Sequence, residues 1–237
     1  WHDTVCVSMK NFNACVAGMS FENEAKQMGF SLVCGLDEAG RGPLAGPVVA
    51  AAVVLRSSRF RCLIRDSKKM TALQRERAFH DIHEKAYVGV GIISRAVIDE
   101  MNIANATFSA MANAVIQMVS RLPPDFSDPG FLKKQLCLLV DGNRFKTDLP
   151  YYFKTIVSGD ARSLSIACAS VVAKVVRDRI LIAYDKIYPQ YGFKKHKGYP
   201  TVEHRNAIKR YGLSPIHRLT YRSAHDEKNR GYAGAPG

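Results

Sequence analysis

Asp37 and Glu38 are adjacent carboxylates, while Asp141 and Asp160 each stand at or just beyond the end of a short apolar run. Acids of this kind gathered in one cleft repel each other unless cations sit between them. Hard divalent ions take oxygen ligands and are often held by a few carboxylates together with substrate phosphates. Two such ions about 4 Å apart activate a water and stabilise a leaving oxygen in an in-line displacement. Any one of these acids alone reads more simply as a turn former or helix cap. Three strand-end acids plus Glu38 point instead to a metal-assisted reaction on a phosphodiester.

The charge balance suits that substrate. The chain carries 34 Lys and Arg against 21 Asp and Glu, a formal +13, with a pI near 9.6. Neutralising phosphates releases condensed counterions, so a basic protein favours a polyanionic partner. The plainer alternative is a basic protein with no such partner. Six cysteines, at 6, 15, 34, 62, 137 and 168, are scattered without a Cys-x-x-Cys pair. Neither zinc nor a disulfide framework is expected, and a reducing, cytoplasmic setting fits. His196, His204 and His217 match no zinc spacing and read as surface or packing residues. No stretch approaches the roughly 18 consecutive apolar residues of a membrane span, and charges among the first thirty residues argue against a secretory signal.

Positioning these acids requires strands that end near them. Residues 31–37, 47–55, 86–93, 135–140 and 153–157 read as short buried strands. Residues 71–85, 102–119 and 163–186 read as helices, the second with Met111, Val115, Met118 and Val119 as a core-facing stripe. Short early links favour hairpins and later helical crossovers favour parallel pairing, giving an α/β domain on a mixed sheet. Open α/β sheets bind ligands at the carboxyl ends of their strands, where Asp37, Asp141 and Asp160 fall. Neighbours in a regular strand point to opposite faces. The first strand is therefore expected to end here, with irregular backbone from Glu38 onward into the turn at Gly40-Arg41-Gly42.

Several segments resemble, in family order, the motifs of bacterial ribonuclease HII, the type 2 ribonuclease H. They are Gly35-Leu36-Asp37-Glu38-Ala39-Gly40-Arg41-Gly42-Pro43, Asp66-Ser67-Lys68-Lys69, Asp141-Gly142-Asn143-Arg144, Gly159-Asp160, Ala169-Ser170-Val171-Val172-Ala173-Lys174 and His196-Lys197-Gly198-Tyr199-Pro200-Thr201. The resemblance runs from about residue 31 to 225. It implies an RNase H-like fold, a five-stranded mixed sheet flanked by helices, with a small helical C-terminal region. It covers a catalytic domain over 31–187 and a helical substrate-binding region over 188–225; the leader over 1–30 has no family counterpart, its order left open, and the tail over 226–237 reads as flexible from its composition.

The resemblance further implies hydrolysis of RNA in RNA–DNA hybrids and incision 5′ of single ribonucleotides embedded in duplex DNA. The products would carry 3′-hydroxyl and 5′-phosphate ends, with Mg²⁺ or Mn²⁺ as cofactor. These activities belong to DNA replication and ribonucleotide excision repair. Asp37, Glu38, Asp141 and Asp160 would be the catalytic, metal-holding carboxylates, Asp37 bridging both ions and Asp141 on the leaving-group side. Gly40, Arg41 and Gly42 would meet the junction ribonucleotide, Tyr199 its sugar, and Lys68 a phosphate, with Lys194, Lys195 and Lys197 as less specific phosphate contacts. Asp178 competes with Asp160 for the fourth place, but its spacing from Lys174 reads as a helical i, i+4 ion pair.

Two departures bear on affinity. Ser158 stands where the family commonly has Lys, and His217-Arg218-Leu219-Thr220-Tyr221 lacks one cation of the family's late basic segment. A monomer without membrane attachment or clamp-binding motif is expected. The alternatives are another nuclease of the same superfamily fold and a non-catalytic nucleic-acid-binding protein.

Overall fold

The computed structural model describes residues 17–126 and 128–221. Cys6, Cys15 and the tail over 226–237 lie outside the described residues, as do residues 1–16 of the leader. Five strands form one sheet: β1 (Leu32–Ala39), β2 (Val48–Leu55), β3 (Ala86–Ile93), β4 (Leu136–Asp141) and β5 (Tyr152–Ile156). Their order is β3-β2-β1-β4-β5. β1, β2 and β3 pair antiparallel, whereas β4 joins β1, and β5 joins β4, in parallel. The sheet is mixed as expected, but link length does not account for its pairing: β2 and β3 run antiparallel across a connection holding the helix over 72–85, and β4 and β5 run parallel across the helix-free link over 142–151.

Among the described residues, seven α-helices accompany the sheet: α1 (Ser20–Gln27), α2 (Ala72–Lys85), α3 (Arg95–Val119), α4 (Pro129–Gln135), α5 (Leu164–Ile187), α6 (Phe193–His196) and α7 (Val202–Tyr211). Leu32, Cys34 and Leu36 of β1 join Ala106, Ala110, Ala114 and Met118 of α3 in one core. On the other face, Ala51 and Val53 of β2 meet Ala167, Val171, Val172 and Val175 of α5. Central strands buried on both sides read as unbroken apolar runs, which is why β2 carries the sequence VVAAAVVL.

β1 departs from expectation at its end. It stays regular through Glu38 and Ala39, whose partners are Ala50 and Val49 of β2. Irregular backbone begins at Gly40, two residues later than the alternation argument required. α3 also begins earlier than expected, at Arg95, with the Ser94 hydroxyl accepting from the Val97 amide. Asn102 interrupts it with φ 68° and ψ 163°. Its Oδ1 accepts from the Ala104 and Asn105 amides at 3.0 and 3.1 Å, capping the second segment. The helix read from Asn102 onward is that second segment.

α1 docks part of the leader. The buried Glu22 carboxylate accepts from the Ser163 hydroxyl at 2.6 Å and from the Ser165 amide and hydroxyl at 2.9 and 2.7 Å. Ser163 also caps α5, and an anion at a helix N-terminus is favoured by the helix dipole.

α5 lies against β1 because Gly35 leaves room for it. A Cβ at Gly35 would overlap the main chain of Ser165 and Ile166, which side-chain repacking cannot relieve. Overpacking of a dense core costs about 1–3 kcal/mol or more. Gly35→Ala is expected to destabilise the protein by at least about 2 kcal/mol in urea unfolding; an unchanged midpoint would refute this close approach.

Candidate active site

Asp37 and Asp141 become neighbours through the parallel pairing of β1 and β4. Leu36 pairs with Val140, so the two acids follow one residue later on adjacent strands and face the same side of the sheet. That side carries α5, whose Ser170 hydroxyl bonds Asp37. The Glu38 amide donates to Asp37 Oδ1 at 2.7 Å. Asp160 arrives from the other direction: β5 ends, Ser158 takes a left-handed φ of 55°, and Gly159–Ala161 form a tight turn before α5. The Gly159 amide donates to Asp141 Oδ1 at 2.6 Å, tying the Asp160 turn to the end of β4.

Glu38 extends from the strand face opposite Asp37, yet its carboxylate still repels that of Asp141. Strand regularity therefore does not remove Glu38 from the site, because the group stands at the sheet's end. Glu38 Oε1 pairs with Arg41 Nη1 at 3.3 Å. Lys68 Nζ lies 3.5 Å from Asp160 Oδ2, with its side chain 77% exposed. Asp66 caps the turn carrying Lys68, and Arg75 Nη1 bonds the carbonyls of Ser67 and Met70 in the same turn.

Crowding has an electrostatic signature. Burial first, then repulsion from Glu38 and Asp141, raises the Asp37 pKa well above the usual carboxylate value. Burial also raises Glu38 despite the opposing Arg41. Asp141 is raised by burial and by Asp160. The charge of Asp160, followed by those of Asp37 and Asp66, raises the Lys68 pKa against the effect of its own burial. Among the described residues, no three His, Cys, Asp or Glu groups stand ready to hold a metal ion. The acids are gathered at one place, but each has an oxygen turned to a protein partner.

Asp178 sits elsewhere. It pairs with Lys174 at 2.7 Å and with Arg75 at 3.8 Å, the helical ion pair its spacing suggested. Lys194 and Lys195 are exposed, whereas Lys197 is partly buried and donates to the Lys194 carbonyl.

The Gly40–Gly42 turn and Tyr199 come together beside these acids. Gly40 has φ +102°, and a Cβ there would collide with the buried Arg177 side chain. A Cβ at Gly42 would lie 3.8 Å from the Tyr199 ring. The Leu44 amide donates to the Gly198 carbonyl at 2.8 Å, joining the two loops. Tyr199 is 43% exposed, with Lys174 Nζ 6.0 Å from its ring centroid. Arg177 and Arg218, neither of which the sequence marks as a site residue, are buried among these loops. Basic residues in a basic chain carry no sequence signal of burial.

The family model described as Ribonuclease HII matches residues 34–224. The chain belongs to the ribonuclease HII family. A ribonuclease HII from Acetivibrio thermocellus is 48% identical over 213 residues, covering 90% of this chain and 78% of that protein. The solved ribonuclease H2 from Pyrococcus horikoshii OT3 aligns with TM-score 0.64 at 25% identity, over 86% of this chain and all of that one. Bst-RNase HIII, solved in complex with Mn²⁺, shares the fold with TM-score 0.63 at 15% identity, over 89% of this chain and 73% of that one. The sheet is that of the RNase H-like fold. Family membership makes the chain a ribonuclease H, an endoribonuclease acting on RNA–DNA hybrids, and displaces the binding-protein alternative. No helix among the described residues is long and apolar enough to cross a membrane.

The histidines of the C-terminal region are packing residues. His204 and His217 are fully buried, with their Nε2 atoms 3.0 Å apart, and His196 stacks on His204 at 4.3 Å. The Ser214 amide donates to His217 Nδ1 at 2.8 Å, so a neutral His217 carries its proton on Nε2 and donates to His204. His204 Nδ1 then donates to the Tyr199 carbonyl at 2.9 Å. Burial lowers both pKa values from 6.5 to about 4. The unfolded chain therefore takes up protons that the folded chain refuses, and stability present above the ordinary histidine value declines as pH falls toward the folded value. Urea unfolding midpoints are expected to fall as the pH is lowered from 6.5 toward about 4. His204→Gln should flatten that slope; an unchanged slope would contradict the neutral pair.

Proposed function

We propose that the chain cleaves RNA in RNA–DNA hybrids and also incises duplex DNA on the 5′ side of a single embedded ribonucleotide, leaving 3′-hydroxyl and 5′-phosphate ends. The observation that carries this reading is the meeting of strand-end carboxylates with the Gly40–Gly42 turn and Tyr199. The acids supply the chemistry, and the turn and ring supply a means of recognising ribose. RNA is told from DNA through its 2′-hydroxyl, which backbone groups can approach closely where glycine removes the side chain.

Asp37, Glu38, Asp141 and Asp160 would hold Mg²⁺ or Mn²⁺. The donor set suits a hard divalent ion, being all carboxylate oxygen. The raised pKa values of Asp37, Glu38 and Asp141 reflect burial first and neighbouring acids second, and a bound cation offsets both. Mn²⁺ bound to Bst-RNase HIII supports the same chemistry on the same fold. When bound, such ions lower the pKa of an attacking water and offset charge on the leaving oxygen. Lys68 would neutralise a substrate phosphate, and the Tyr199 ring would rest against the junction sugar.

Residues 31–187 would carry the chemistry and 188–225 grip the duplex. The protein would act as a cytoplasmic monomer without a clamp-binding motif, serving replication and ribonucleotide excision repair.

A DNA duplex bearing one ribonucleotide, incubated with Mg²⁺ or Mn²⁺, should be cut only 5′ of that nucleotide. Asp160→Asn should abolish turnover and Asp178→Asn spare it. Tyr199→Ala should depress cleavage of the embedded ribonucleotide more than that of uniform hybrid. No incision with either ion, or turnover lost only in Asp178→Asn, would overturn the corresponding assignment.

A further inference from the structure

Arg177 and Arg218 are 1% and 0% exposed, and neither forms an ion pair with a carboxylate among the described residues. A buried cation must be compensated locally, and here main-chain carbonyls do most of it. Arg177 donates to the carbonyls of Pro47, Lys197 and Ala45 at 3.1, 3.0 and 3.0 Å, holding the ends of both loops. Arg218 acts on the glycine turn itself. Its Nη2 donates to the Gly40 carbonyl at 2.5 Å, its Nη1 to the Arg41 carbonyl at 3.0 Å and its Nε to the Gly46 carbonyl at 3.0 Å. Nη1 also meets the Tyr221 hydroxyl at 2.8 Å, and that hydroxyl donates to the same Arg41 carbonyl at 2.5 Å.

A trans peptide unit is rigid, with its C=O and N–H pointing in opposite directions. Drawing the Gly40 and Arg41 carbonyls toward Arg218 therefore turns the Arg41 and Gly42 amides away from it. Neither amide has a hydrogen-bond partner among the described residues, and Gly42 lies beside the Tyr199 ring. Two free donors are thus aimed by one buried guanidinium.

We propose that Arg218 is a positioning residue for ribonucleotide recognition: it sets the Arg41 and Gly42 amides to receive the 2′-hydroxyl at the cleavage junction. This rests on the embedded-ribonucleotide reading above. It also gives a role to the one cation kept where the late basic segment loses another at Leu219. Arg218 touches no substrate and acts through the turn.

Arg218→Lys keeps the charge and stem, but one ammonium cannot reproduce a planar fork spread over three carbonyls. Tyr221→Phe removes the second donor to the Arg41 carbonyl. The full chain would be compared with both variants by anisotropy in Ca²⁺, using a duplex with one ribonucleotide and its all-deoxy counterpart, and by incision kinetics in Mg²⁺. Arg218→Lys should lower kcat at the embedded ribonucleotide roughly tenfold, and Tyr221→Phe roughly threefold. Both should shrink the binding preference for the ribonucleotide duplex while affinity for all-deoxy duplex holds within about twofold.

An unchanged preference in folded variants, or equal loss on both duplexes as a merely structural role would give, overturns the proposal. Should Arg218→Lys fail to fold, Tyr221→Phe decides by the same criteria. A wild type that neither prefers nor cuts the ribonucleotide duplex would overturn the embedded-ribonucleotide reading itself.

Discussion

Repulsion among carboxylates held at one end of a sheet is the constraint on which the rest of the site depends. Asp37 and Asp141 are brought side by side by parallel pairing, and Asp37 and Asp160 are buried. Burial and the neighbouring acids disfavour ionisation of Asp37, so the fold carries a local electrostatic cost there. It is met piecemeal: the Glu38 and Gly159 amides, Ser170, Arg41 and Lys68 each take part of one carboxylate. None of these partners closes the cluster. What is left is a cluster of carboxylates short of cations in a protein of formal charge +13, a combination that suits cations shared with a polyanion.

Rigid elements surround that excess. Gly35 lets α5 lie directly on β1, bringing Ser170 to Asp37. Ser163 caps α5 and, with Glu22, fixes where the Asp160 turn ends. Farther along, the segment from Ser214 to Tyr221 returns to the glycine turn, with the Arg218 amide donating to the Leu44 carbonyl at 2.8 Å. The same basic residues that suggest a polyanion at the level of composition thus divide between an exposed set and an internal pair.

Much of this was legible from residue pattern. Apolar runs located the central strands because both of their faces are covered, but link lengths did not foretell the pairing, since a helix joins the antiparallel β2 and β3 and none joins the parallel β4 and β5. Strand-end acids were visible as acids after apolar runs, and Asp178 as a partner of Lys174 four residues away. What escaped depends on distant partners. β1 continues through Glu38 because β2 supplies Ala50 and Val49 opposite it, and side-chain alternation says nothing of where a neighbouring strand ends. The first segment of α3 depends on the Ser94 cap more than on an apolar stripe. The helical leader segment is secured by Glu22, whose partners are more than 140 residues away. Burial of Arg177 and Arg218 follows from carbonyls contributed by loops distant in sequence.

On the function proposed above, the acids at the strand ends act together as one site for a divalent cation. Calorimetry of Mn²⁺ binding at about pH 6, repeated in buffers of different ionisation enthalpy, counts the protons exchanged, since metal ligands must be deprotonated to bind. Crowded carboxylates with raised pKa values predict net proton release on binding, sharply reduced by Asp37→Asn. Binding without proton release, or release unchanged by Asp37→Asn, would contradict a coupled carboxylate site.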